Sequence, residues 1–134
     1  MAFEDTFRLS SHAVITNVLG EVLLLKATYG KQAWGLPGGA LEPGETIHEA
    51  LVRECLEELG CEVRIHYLSG VYYHSAVNSQ AFIFRCDLAE SAAIALSHEH
   101  SAYAYTPVHA LAPVQLQRVQ ECLNYSGRVS SAKF

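Results

Sequence analysis

The segment that most narrows what this chain can fold into runs from Trp34 to Gly60, WGLPGGALEPGETIHEALVRECLEELG. Its first six residues cannot be helical, because Pro37 and Gly38-Gly39 break a helix. A helix must then begin almost at once. Thr46 and Glu49 have the spacing of a capping box, Pro43-Gly44 lies just ahead, and Gly60 suits the left-handed position beyond a last turn. At about 100° per residue, Ile47, Leu51, Cys55 and Leu59 form one apolar stripe, broadened by Val52 and Leu56. Glu54, Glu57 and Glu58 share an arc roughly 100° wide beside that stripe, with only the small Ala50 among them. The spacing predicts a capped helix that buries one seam and carries three acids along its border.

The flanking sequence reads mostly as strands. HAVITNV (His12–Val18) and EVLLLKA (Glu21–Ala27) surround a Leu19-Gly20 turn and are predicted to form a hairpin. After Gly60, CEVRIHYLSGVYYHSA and QAFIFRCDL are β-branched and aromatic segments joined by a turn near Asn78-Ser79, and AYAYTPV adds a short strand. Pro113–Tyr125 reads as a second amphipathic helix, with Pro113 in its first turn and Gly127 past its end. The expected order is β-β-loop-α-β-β-β-α. That is an α/β (α+β) arrangement, a mixed sheet flanked by helices, in a single domain over residues 1–134.

Composition sets the remaining bounds. Half the residues are apolar and 17% are charged, which suits a folded domain with a real core. The formal net charge of −5 argues against a nucleic-acid polymer or an anionic membrane as partner. The strongest apolar run, Val22–Leu25, is strand-sized, and the acidic N-terminus lacks the apolar core of a signal peptide. Cys55, Cys61, Cys86 and Cys122 show no C-x-x-C spacing. A reduced, cytoplasmic protein is expected.

The acidic face has two readings. Each like-charge pair costs only about 0.2–0.5 kcal/mol, so repulsion alone is compatible with a solvated helix surface. The neighbouring residues favour a metal site. Mg²⁺ takes hard oxygen ligands, commonly a few carboxylates together with substrate phosphates. Glycines at Gly38 and Gly39 let backbone approach an ion or phosphate without a side chain in the way. Arg53 stands beside the acids and can orient Glu54 or Glu45.

Taken together, GGALEPGETIHEALVRECLEELGC resembles the Nudix box, G-x5-E-x7-R-E-U-x-E-E-x-G-U with U a bulky apolar residue. The matching positions are Gly39, Glu45, Arg53, Glu54, Glu57, Glu58 and Gly60, and the preceding WGLPGG is similar to the family's approach to the box. Cys55 and Cys61 stand at the two apolar positions, where Ile, Leu or Val is usual. The resemblance implies an α/β/α sandwich and hydrolysis of a nucleoside diphosphate derivative with Mg²⁺ or Mn²⁺. It further implies Glu57 and Glu58 as principal metal ligands, and Glu54 as a further ligand or the base that activates water. Arg53 and Glu45 would orient Glu54, and the Gly38 carbonyl would complete the metal shell. Glu99, in SHEHSAY, is a second candidate for the base, its other reading being an exposed loop acid.

Outside the box, Lys26 and Arg85 are candidate phosphate contacts, with solvent-facing charge as the alternative for each. Trp34, Tyr72, Tyr73, Phe82 and Tyr105 are candidates for stacking on a base, with core packing as the alternative. The proline associated with ADP-ribose specificity is not found, since position 76 is alanine, and Asn78 and Ser79 stand where dinucleoside polyphosphate enzymes often have tyrosine. By elimination the chain is most similar to compact nucleoside-triphosphate members. The alternatives are an ADP-ribose or dinucleoside polyphosphate hydrolase, an isopentenyl diphosphate isomerase on the same scaffold, and a nucleotide sensor without turnover. A small-molecule nucleotide is the expected partner, and the family resemblance makes a homodimer reasonable.

Overall fold

The Val22–Leu25 run is apolar on both faces because both faces of its strand are covered. A computed structural model describes residues 3–89 and 91–134; Met1 and Ala2, which begin the N-terminal stretch read above, and Glu90 lie outside them. The strands and helices are, in order, β1 (Arg8–Val14), β2 (Val22–Ala27), β3 (Trp34–Gly35), β4 (Gly38–Ala40), α1 (Ile47–Leu59), β5 (Val63–His74), β6 (Ser79–Leu88), β7 (His100–Thr106), α2 (Pro113–Leu123) and β8 (Ser130–Lys133). They form a mixed α+β fold with two sheets between two helices. Leu23 and Leu25 join one core with Leu51, Cys55 and Leu59 of α1. Val22 and Leu24 join the other with Val119 and Cys122 of α2. The two-residue alternation of a strand is what sends neighbours to opposite cores.

The predicted hairpin forms only at its tip. Thr16 bridges Val22, and Leu23 N donates to Ile15 O at 2.8 Å. Beyond that the strands part into separate sheets. A strand has two edges, and those of β1 are taken by β4 and, in parallel, by β6. The edges of β2 are taken by β3 and β7. The five-stranded sheet has the order β4-β1-β6-β5-β8 and the three-stranded sheet the order β3-β2-β7. The short strand β3 and the first two residues of β4 come from WGLPGG, so this segment crosses from one sheet to the other around Pro37.

α1 begins and ends where its punctuation predicts. Thr46 Oγ1 accepts from Glu49 N at 3.1 Å, Glu49 Oε1 accepts from Thr46 N at 3.0 Å, and Gly60 has φ of 69°. Ser11 Oγ donates to Ile47 O at 2.8 Å and ties the first turn to β1. The buried seam is rotated from the predicted one. Leu51, Cys55 and Leu59 are buried as expected, but Leu56 is exposed, while Ala50 and Glu58 are buried. The helix packs on β4 as well as β1, so cover arrives on the acidic side of the stripe. All four cysteines are free. No described helix is long and apolar enough to cross a membrane.

Candidate active site

The Gly38-Gly39 backbone lies directly on the acids of α1. Gly38 N donates to Glu58 Oε1 at 2.8 Å. Gly38 has φ of 133°, and a Cβ there would overlap the Ser11 carbonyl oxygen. A Cβ on Gly39 would lie 2.7 Å from the Glu54 carboxyl carbon and 2.8 Å from both its oxygens. The two glycines therefore differ. Gly38→Ala meets rigid backbone in a conformation that side chains avoid and is expected to cost about 3 kcal/mol or more. Gly39→Ala meets a side-chain end and is expected to leave the fold nearly intact while moving Glu54. Thermal melts of the two variants check this, and equal melting temperatures would contradict it.

Arg53 organises the exposed half of the face. Its Nε and Nη2 donate to Glu45 at 2.6 and 3.0 Å, and Nη1 reaches Glu54 at 3.1 Å. Nη2 also donates to Ala40 O at 3.1 Å, and Nη1 lies 3.4 Å from Glu57. The hydrogen bond from Arg53 holds the Glu45 carboxyl below the usual range. Glu54 moves the other way, because burial raises it more than Arg53 lowers it, and the charges of Glu57 and Glu99 add to the rise. Glu58 is 5% exposed. Its burial pushes it up to about 8 against the Gly38 hydrogen bond, with Glu54, Glu99 and Glu57 contributing further.

A cleft of about 380 Å³ opens over Glu58 and runs between the two sheets, lined also by His100, Gly38, Gly39, Lys31 and Trp34. His100 Nε2 is 3.9 Å from Glu58 Oε2, and its side chain is 9% exposed. Its Nδ1 is buried with no hydrogen-bond partner among the described residues, and burial lowers its pKa. Among the described residues no three acidic, His or Cys side chains converge as a ready metal cage. Arg53 stands between Glu54 and Glu57 instead.

The sequence candidates therefore divide. Glu45, Arg53, Glu54, Glu57, Glu58 and Gly38 are brought together, with Gly38 engaged through its N–H. Glu99 is exposed, and its charge reaches both Glu54 and Glu58. Arg85 donates to the carbonyls of Val14 and Cys86 and to Thr16 Oγ1, so its guanidinium ties β1 to β6. Lys26 is only partly buried in β2, on the strand face opposite Leu25 and Ala27, which line the cleft. Lys31 and His100 also line it. Lys31 follows Gly30, whose positive φ of 58° turns the loop, and nothing local distinguishes His100 from its loop neighbours.

A family model described as NUDIX domain matches residues 6–123. The chain belongs to the Nudix family. Among curated Nudix-type relatives, a putative 8-oxo-dGTP diphosphatase of Bacillus subtilis (strain 168) is 35% identical over 71 residues, 53% of this chain and 47% of that protein. An RNA pyrophosphohydrolase of Yersinia enterocolitica is 42% identical over 60 residues, 45% of this chain and 34% of that protein. These matches span less than half of either relative. The Nudix fold is shared with an ADP-ribose pyrophosphatase from Streptococcus suis 89-1591, at TM-score 0.77 and 19% identity over 96% of this chain and all (100%) of that one. A Caenorhabditis elegans Ap4A hydrolase aligns at TM-score 0.72 and 23% identity, covering 85% of this chain and 93% of the other.

Proposed function

We propose that this Nudix protein hydrolyses the diphosphate linkage of a nucleoside triphosphate to a monophosphate and pyrophosphate, with Mg²⁺ or Mn²⁺. The observation that carries this reading is the buried Glu58 carboxylate on Gly38 N, beside Glu54 under Gly39. A carboxylate pushed up to about 8 by burial and by neighbouring acids is one whose charged form lacks compensation. A divalent ion would supply it and reverse the local electrostatics.

Glu54, Glu57 and Glu58 would hold the ion, which when bound neutralises the diphosphate and lowers the pKa of an attacking water. Glu58 is fixed for this by Gly38, and Glu54 by Arg53. Glu54 would serve as the base that takes the water proton as the water oxygen attacks phosphorus and the P–O bond joining the nucleoside monophosphate to pyrophosphate breaks. Lys31, at the cleft mouth, would meet the phosphate chain. The small-nucleotide reading also agrees with the net charge of −5, which disfavours a long polyanion.

The test is turnover with Mg²⁺ of nucleoside triphosphates, ADP-ribose, a dinucleoside polyphosphate and nucleotide sugars, with products identified by ³¹P NMR. Conversion of a triphosphate to monophosphate and pyrophosphate is expected. Hydrolysis confined to ADP-ribose or a dinucleotide, or binding with no turnover, would overturn the assignment.

A further inference from the structure

A second cleft, of about 460 Å³, lies on the α2 side of the three-stranded sheet, lined by Leu24, Leu111, Val114, Gln115, Arg118 and Trp34 among others. Trp34 lines both clefts and is 43% exposed. An occupant spanning the two would put one end over Glu58 and the other among apolar side chains beside an indole. A nucleotide has that shape, an anionic chain joined to a flat base. The inference drawn from this rests on the nucleotide reading above.

Besides Thr106, whose hydroxyl can donate as well as accept, the polar side chains of the second cleft are Gln115 and Arg118, and their pairing is unusual. Arg118 is 9% exposed and has no carboxylate within ion-pair distance among the described residues. Its partners are neutral. Nε donates to Gln115 Oε1 at 3.1 Å, Nη2 donates to the same oxygen, and Nη1 meets His74 Nε2 at 3.2 Å. A guanidinium carries five N–H groups and no acceptor, so two remain without a described acceptor. Burial lowers its pKa to about 10, which leaves it cationic at neutral pH. Because Arg118 can only donate, Gln115 must turn its carbonyl oxygen toward it. The Gln115 amide nitrogen then faces elsewhere, and both residues have only N–H left to offer a ligand.

We infer that Arg118 and Gln115 form a donor-only reader that selects a 6-oxopurine base, guanine or hypoxanthine, stacked in the cleft beside Trp34. Guanine presents two adjacent acceptors, O6 and N7, on its major-groove edge. Uracil offers the single acceptor O4 with no N7 beside it, whereas adenine replaces O6 with an amino donor and cytosine carries an amino donor at the corresponding edge. Either sets N–H against N–H. A free glutamine could serve adenine by accepting from its amino group, but here Arg118 occupies that carbonyl.

Trp34 is the only tryptophan in the chain, so its fluorescence reports occupancy without turnover. Titrating GMP, IMP, AMP and CMP into the protein in EDTA is expected to give GMP and IMP about tenfold tighter binding than AMP and CMP. Arg118→Met keeps the stem, removes the uncompensated charge, and should abolish the preference with the fold intact by circular dichroism. Gln115→Glu adds an acceptor, neutralises Arg118, and should move the preference toward AMP, a change that a purely structural role would not produce. Equal binding of GMP and AMP by the wild type, or an unchanged preference in Gln115→Glu, would overturn the inference. If triphosphates are still hydrolysed in that case, the reaction stands and only the base reading falls. A GMP preference without hydrolysis would mean the reverse.

Discussion

Glu58→Gln is expected to raise the melting temperature of the metal-free protein in alkaline buffer while removing nearly all turnover. The carboxyl sits at about 8 in the folded protein against an ordinary value of 4.5, so between those limits the folded state holds a proton that the unfolded chain releases. Stability from this group is complete at acid pH and is lost as pH rises through about 8. Glutamine keeps the acceptor for Gly38 N and carries no charge to bury. At pH 5 the two proteins should melt together. At pH 9 the variant should be ahead by about 2 kcal/mol, roughly 5–10 °C for a chain of this size. Mg²⁺ or Mn²⁺ should reverse the order, because an ion that binds only the folded wild type stabilises it by mass action. Turnover should fall by roughly 10²–10⁴, the scale of losing a metal's charge stabilisation. Melts at both pH values, with and without metal, check this. A variant less stable than wild type at pH 9 would contradict the account of the buried carboxyl.

Arg53→Met should give the opposite stability result. The guanidinium contacts Glu45 through two nitrogens, bridges to Glu54 and holds the Ala40 carbonyl. Its contacts to Glu42 and Glu57 involve side chains that are 66% and 60% exposed, and these contribute little. The loss comes from the inner pair. Without Arg53, the largely enclosed Glu54 loses its hydrogen-bonded cation and faces other acids, and the loop through Ala40 loses a tie to α1. About 2 kcal/mol of destabilisation is expected at pH 7 in low salt, and less in 1 M NaCl, where the remaining acids are screened. Arg53→Lys should recover only part of this, since an ammonium cannot reproduce the planar two-nitrogen contact. Urea denaturation at both salt concentrations measures the effect. A change within 0.5 kcal/mol for Arg53→Met would show that the network is surface decoration.

These two residues show what was legible from sequence. The helix that carries them was readable because its cap, its stripe and its stop are all local, within Thr46 to Gly60. The rotation of its seam was not, because what covers Ala50 and Glu58 is β4, and β4 reaches α1 only through pairing with β1. The division into two sheets depends in the same way on which strands occupy each edge, a choice made by β6 and β7 far along the chain. β8 (Ser130–Lys133) was missed because SSAK has neither alternation nor β-branched residues. It forms because β5 offers a free edge beside it. In the candidate site, the acids and glycines are marked by a local motif, whereas His100 and Lys31 line the same cleft from distant parts of the chain. Arg85 was a candidate phosphate contact or a solvent-facing charge, and the partners its guanidinium takes, Val14 and Thr16, are more than sixty residues away in sequence.

The most direct measurement follows a mixture of the four nucleoside triphosphates by ³¹P NMR with Mg²⁺, for the wild type and Glu58→Gln side by side. The account predicts growth of monophosphate and pyrophosphate signals from the wild type and almost none from the variant. Equal consumption by both proteins, or release of orthophosphate and a nucleoside diphosphate from the wild type, would contradict it.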